Sequence, residues 1–185
     1  MEGAASQLVI HGSRDVVDNV PASMPWPKNL FILGTVNMDE TTHAFSDKVL
    51  DRAFSFELWD VNLAAWEKSA AVNERNVPVL DNIMPALTAV HEALRPARRH
   101  FGYRTCDEIL GFCSAVPAAV RAQALDAAVL AKVLPKLRGD DSGALPKALE
   151  DAEKVCADHG LTRSKAKLVA MRESLKSLGV VRFAS

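Results

Sequence analysis

The sequence predicts a mainly α-helical protein with a small α/β part at its N-terminal end. Strand-like apolar runs are confined to the first 76 residues, whereas from residue 77 onward apolar side chains recur at three- and four-residue steps. The charge divides in the same sense. Residues 1–92 hold 6 Lys/Arg against 13 Asp/Glu, and residues 93–185 hold 16 against 10. Such asymmetry suits an internal contact between an acidic and a basic part, or a basic surface facing phosphates. Few strands followed by many helices place an α/β portion over 1–76 and a helical domain over 77–185.

The 185 residues are 49% apolar, enough for one domain or two small ones, which excludes disorder as the default state. No apolar run reaches the roughly 18–20 residues of a spanning helix. The start, MEGAASQLVIHG, has neither a basic leader nor an apolar signal core, so a soluble, cytoplasmic protein without membrane contact is expected. Cys106, Cys113 and Cys156 are widely spaced, form no CxxC pair and fit reduced thiols.

Taken in order, residues 8–11 read as a short strand, followed by a polar loop ending at Pro21, Pro25 and Pro27, where missing N–H groups forbid a central strand. Residues 29–36, NLFILGTV, form a continuous apolar run, the pattern of a parallel strand buried on both faces. Residues 46–53 suggest a short helix with Ser46 as N-cap and Asp47 near the positive end of its dipole. Residues 54–58, FSFEL, alternate as a second strand.

In the helical part, residues 79–94 carry Leu80, Ile83, Met84, Leu87, Val90, His91 and Leu94 on one stripe. Thr105 with Glu108 forms a capping-box pattern, so a helix is expected to begin there. Pro117 opens another helix over 118–134, and residues 139–143 read as a turn or mobile loop. Helices at 145–158 and 162–177 complete the count, the last striped by Leu168, Met171, Leu175 and Leu178 and ended by Gly179.

Residues 34–53, GTVNMDETTHAFSDKVLDRA, resemble the second half of an AAA+ nucleotidase core of the McrB-like restriction GTPases. The shared order is a buried strand ending in GT(M/V)N, an acidic turn, a helix with an LD and Arg pattern, and an aromatic strand. FGYRTCDEI at 101–109, KVLPKLRGD at 132–140 and the close at 167–183 resemble the helical lid of that family. The resemblance implies a partial AAA+ core followed by a lid bundle. It makes Asn37 the sensor-1 residue that orients water toward a γ-phosphate, with Asp39 and Glu40 at the strand exit as nucleotide-site carboxylates that position water or hold the turn. It makes Arg52 the arginine finger reaching a neighbouring subunit, although relatives often carry consecutive arginines where this chain has Asp51, Arg52 and Ala53. Arg104 becomes the residue that closes the lid on nucleotide.

No GxxxxGK[ST] loop occurs among the nine glycines, and no acidic Walker-B strand precedes residue 8. The chain is therefore expected to match the C-terminal portion of such a nucleotidase and to bind no nucleotide alone, GTP or ATP with Mg²⁺ being implied only for the complete enzyme. A truncated gene, an expressed fragment and a split system remain open as its origin. Unsatisfied strands predict self-association or a partner half that brings the P-loop. An McrC-like nuclease partner, indirect DNA contact, nucleotide preference and ring size are left open.

Local alternatives stand beside these roles. Asn37 also suits an Asx turn, and Arg52 an ordinary surface position. Arg95, Arg98, Arg99 and His100 form a basic cluster that suits a solvated helix end first, and otherwise phosphate, DNA or an acidic neighbour. His43 and His91 lack a second metal ligand at useful spacing, and Trp59 and Trp66 read as packing residues. The competing function is a non-enzymatic helical module docking protein or nucleic acid; a stand-alone enzyme built on Asp39, Glu40 and His43 lacks a legible nucleophile and base.

Overall fold

The computed structural model describes residues 7–13, 15–36, 45–71 and 76–183. The chain divides into two compact units, Met1–Phe56 and Glu57–Ser185. It is mainly helical, with two small antiparallel strand pairs among the described residues.

In the N-terminal unit, β1 (Gln7–Val9) pairs antiparallel with β2 (Ser23–Pro25), Leu8 opposite Met24. A tight turn between them places Asp18 and Asn19 in the left-handed region at φ 51° and 65°, where short polar side chains are tolerated. Pro25 ends β2 at an edge, the one place in a sheet where a missing N–H costs no ladder bond. The expected helix at 46–53 shrinks to a single turn, α1 (Asp47–Leu50). Ser46 has extended N-cap backbone angles but makes no side-chain capping bond. No described residue of this unit is buried.

Two sequence expectations fail here for one reason. Residues 29–36 form no strand, and Phe31, Ile32 and Leu33 stand 85%, 77% and 95% exposed. Residues 54–58 likewise form no strand, with Phe54 and Phe56 exposed. A strand exists only when a neighbour takes its backbone N–H and C=O groups, and no described segment pairs with either run.

The helical unit contains the entire described core. Its helices are α2 (Leu63–Ala70), α3 (Val77–Leu94), α4 (Tyr103–Ser114), α5 (Arg121–Lys132), α6 (Leu145–Asp158) and α7 (Thr162–Leu178). Helix α3 packs along α6, α6 on α7, α7 on α5 and α5 on α4, which returns to α3. The stripe expected on α3 is buried at every position, with Ile83, Leu87, Val90 and Leu94 fully covered. On α7 the stripe ends early: Leu168, Met171 and Leu175 are buried while Leu178 is 69% exposed. Gly179 follows at φ 70°, its N–H donating to the Leu175 carbonyl at 2.9 Å, a left-handed helix stop that suits glycine.

Buried Asp126 on α5 serves as a cap for a different helix. Its carboxylate accepts from the N–H groups of Arg163 and Ser164 at 2.8 and 2.9 Å and from Ser164 Oγ at 2.7 Å. The local N-cap position of α7 is Leu161, which has no acceptor, so the orphaned first-turn donors draw on α5. Short strands β3 (Gly139–Asp140) and β4 (Val180–Val181) pair antiparallel and tie the α5–α6 connection to the chain beyond α7.

Three further expectations change in detail. The helical unit begins at Glu57 rather than residue 77, because α2 sends Leu63 and Trp66 into the same core. Helix α2 is held to α4 by Trp66 Nε1, which donates to Asp107 Oδ1 at 2.8 Å, and by the Asn62 N–H, which donates to Tyr103 Oη at 3.0 Å. The capping box at Thr105 is not used: α4 starts at Tyr103 with Gly102 as N-cap. Thr105 is instead buried, its Oγ1 accepting from Lys136 Nζ at 2.8 Å, and Glu108 pairs with Lys132 at 2.8 Å. After Pro117 the chain first makes a 3₁₀ turn at Ala118–Val120, and α5 begins only at Arg121.

Candidate functional site

The residues that the sequence singles out do not form a described constellation. Asn37, Asp39, Glu40 and His43 lie outside the described residues. Arg52 is exposed in the turn after α1, where its N–H donates to the Val49 carbonyl at 3.1 Å. Arg104 is exposed on the first turn of α4, one turn from Glu108, whose carboxyl is held below the usual range chiefly by the hydrogen-bonded Lys132 and only slightly by Arg104. The two arginines belong to different units.

The helical unit does assemble one polar cluster, where the chain before α2 meets the end of α3. A 3₁₀ turn, Arg95–Ala97, reverses the chain, and Arg98 completes it at φ 52°. This brings His100 and Phe101 back beside α3. The ring of His91 stands edge-on to His100, centroids 4.8 Å apart, and edge-on to Phe101 at 5.2 Å. The ring of His100 stands edge-on to Trp59 at 6.0 Å, and its Nε2 lies 2.7 Å from the Trp59 carbonyl oxygen. Because that oxygen can only accept, Nε2 carries the proton. The Arg98 guanidinium covers the outer face of Trp59 at 4.8 Å, a cation–π contact.

The charges around this cluster cancel. Arg95 lies 3.7 Å from Asp60 and 3.6 Å from Glu92, and Arg98 lies 3.8 Å from Glu57. Arg99 is also engaged. Arg95 and Arg98 of the basic cluster thus lie in exposed ion pairs with acidic residues of their own unit. Trp59, Glu92, Arg95, Pro96 and Arg98 line a hollow of about 290 Å³ at the surface.

His91 is the most deeply buried member. It is 1% exposed; Nε2 has no hydrogen-bond partner, and Nδ1 lies 3.4 Å from Glu92 Oε1, close enough for an ion pair once the ring is protonated. Burial, aided by His100 and Arg95, pushes its pKa below 6.5, while Glu92 opposes the shift. The cysteines are inert by the same physics: burial holds the Cys106 and Cys156 thiols up at about 12 and raises Cys113 too. No group of three or more His, Cys, Asp or Glu able to hold a metal occurs among the described residues.

Sequence reasoning saw the members of this cluster separately. His91 appeared as one position of an apolar stripe, His100 as a basic residue and Trp59 as packing. Trp66 is indeed packing, 8% exposed, but Trp59 is 38% exposed under Arg98. The available signal was a lone histidine on an otherwise aliphatic stripe, followed by the adjacent pair His100 and Phe101.

The class that emerges is a self-contained helical domain preceded by a shorter, core-poor unit. Residues 57–180 match the family described as Domain of unknown function (DUF8727), and the chain belongs to that family. The match begins at the first residue of the helical unit. No curated protein and no solved structure matches the chain. No helix among the described residues is long and apolar enough to cross a membrane.

Proposed function

We propose that the chain is the sensor and lid portion of a McrB-like AAA+ nucleotidase of a cytoplasmic DNA-restriction or phage-defence system, without hydrolytic activity of its own. In this reading Asn37 orients the attacking water, Asp39 and Glu40 hold the adjoining turn, Arg52 reaches the phosphates of a neighbouring site, and the helical unit closes on nucleotide through Arg104. Mg²⁺ with GTP or ATP is gripped by a P-loop that a partner half supplies. An McrC-like nuclease would stand downstream, with DNA engaged indirectly.

The observation that carries the reading is the exposure of Phe31, Ile32 and Leu33 in a run composed like a doubly covered parallel strand. Such a run gains its backbone partners and its cover only from a sheet outside the described residues. Arg52 and Arg104 are exposed, as residues that act on a ligand held elsewhere must be. Self-association through the same run is expected while a partner is absent. A non-enzymatic interaction module is the competing reading, favoured by the closed core of the helical unit and its match to a family over that unit alone.

Two measurements decide. A photocrosslinking amino acid at position 31, used in cells of origin, should capture a chain containing GxxxxGK[ST]; capture only of proteins lacking that loop would favour the interaction module. Calorimetric titration of the lone chain with Mg-GTP and Mg-ATP should show no binding, and tight binding would overturn the proposal.

A further inference from the structure

Arg104, the one residue of the helical unit to which the proposed function gives a task, does not stand by itself. Glu108 lies one turn further along α4, and three cations gather around its carboxylate. Lys132 Nζ, at the end of α5, lies 2.8 Å from Glu108 Oε2. Lys136 closes the 3₁₀ turn Leu134–Lys136 and donates to Thr105 Oγ1 at 2.8 Å, on the same first turn of α4 that carries Arg104. Lys132 foremost, then Lys136 and Arg104, hold the Glu108 carboxyl below the usual carboxylate range, so all three charges reach it.

The balance is three positive charges against one negative. Asp107, the neighbouring acid, does not even it out, because its carboxylate is turned to α2 and accepts from Trp66 Nε1. The contrast with Arg95 and Arg98 is plain, since those two arginines are matched by Glu57, Asp60 and Glu92. Most donors around Glu108 also stay open. An ammonium carries three N–H groups and a guanidinium five; Lys132 gives one to Glu108, Lys136 gives one to Thr105, and Arg104 acts on Glu108 through charge alone.

We propose that Arg104, Lys132 and Lys136 form one receiving surface for a polyphosphate chain, and that Glu108 is the resident anion which the phosphates displace from Lys132. The inference rests on the nucleotidase reading for the identity of the ligand, a nucleoside triphosphate, and extends it from one arginine to three cations and a competing carboxylate. A single carboxylate offers two oxygens and one charge, enough for Lys132. A triphosphate offers several charges and many acceptor oxygens on a short flexible chain, so it meets an arginine fork and two ammonium groups together. Displacing Glu108 costs little, because its pair with Lys132 is exposed to solvent. The surface is also assembled in advance: α4 packs on α5, and the bond to buried Thr105 holds Lys136 at the first turn of α4 before any ligand arrives.

The test is titration of the ¹⁵N-labelled full chain with sodium tripolyphosphate, without Mg²⁺ and at low salt, followed by amide NMR. Resonances of residues 103–108 and 132–136 should shift and saturate at millimolar ligand, too weak for the calorimetric titration to register, and the response should fade with added NaCl. R104Q, K132Q and K136Q should each weaken binding about fivefold, and E108Q should strengthen it about fivefold, the Coulomb effect of one charge about 4 Å away in water. K154Q, on α6, should change nothing. Should K136Q fail to fold, E108Q decides, since Glu108 is exposed and gives up only its pair with Lys132. Shifts centred elsewhere, no shift, or an E108Q affinity no higher than that of the unmodified chain would overturn the surface, and equal affinity for citrate would overturn its assignment to phosphate. Capture of a GxxxxGK[ST] partner at position 31 with no tripolyphosphate response would overturn this surface alone, whereas a response here with capture only of proteins lacking that loop would count against the nucleotidase reading alone.

Discussion

Leu33 in the N-terminal unit is 95% exposed, whereas Leu87 in the helical unit is 0% exposed, although each sits in a run that the sequence marks as interior. The difference lies in what each kind of element needs. A helix satisfies its own backbone bonds and asks only that one stripe be covered, which neighbouring helices of the same chain can do. A strand must find both backbone partners and cover for its side chains, and residues 29–36 find neither among the described residues. The helical unit closes a core of its own, whereas none of the described residues of the N-terminal unit is buried.

The largest effect should come from cutting the complete side. Leu87→Ala removes a fully buried side chain and should cost about 3 kcal/mol in urea unfolding followed by helical circular dichroism. Asp126→Ala strips three bonds from the start of α7 and should cost about 2–4 kcal/mol, with early loss of amide protection at Arg163 and Ser164. Trp66→Phe keeps an aromatic ring in the core but removes part of the indole and the bond to Asp107, a loss of about 1–2 kcal/mol. On the incomplete side, Leu33→Asp should change unfolding by no more than about 0.5 kcal/mol while abolishing self-association in light scattering. A Leu33→Asp penalty equal to that of Leu87→Ala would erase the contrast between the units.

The helices were legible because their period is local. The stripe from Leu80 to Leu94 and the stop at Gly179 need only residues a few positions apart, and both occur as read. Helix α2 escaped notice because LAAWEKSA offers only Leu63 and Trp66 as anchors, and its place is set by Asp107 and Tyr103 far along the chain. Thr105 with Glu108 matched a local capping rule, but partners on the α5 side, Lys136 and Lys132, took both side chains. Of the candidate site, Arg52 and Arg104 were legible as exposed arginines, while the Trp59–His100–His91 contact was not, since no spacing rule joins residues so far apart in sequence.

The sequence by itself determined that this chain is mainly helical, where most of the helices run, which faces they bury and that its acidic and basic parts differ. These depend on backbone geometry that repeats every few residues. Only the tertiary structure decided that Asp126 caps a helix other than its own, that Arg95 and Arg98 pair with Glu57, Asp60 and Glu92, and that His91 and His100 meet edge-on beside Trp59. Each of those depends on which distant side chain arrives within about 3–4 Å, the range over which hydrogen bonds and ion pairs act.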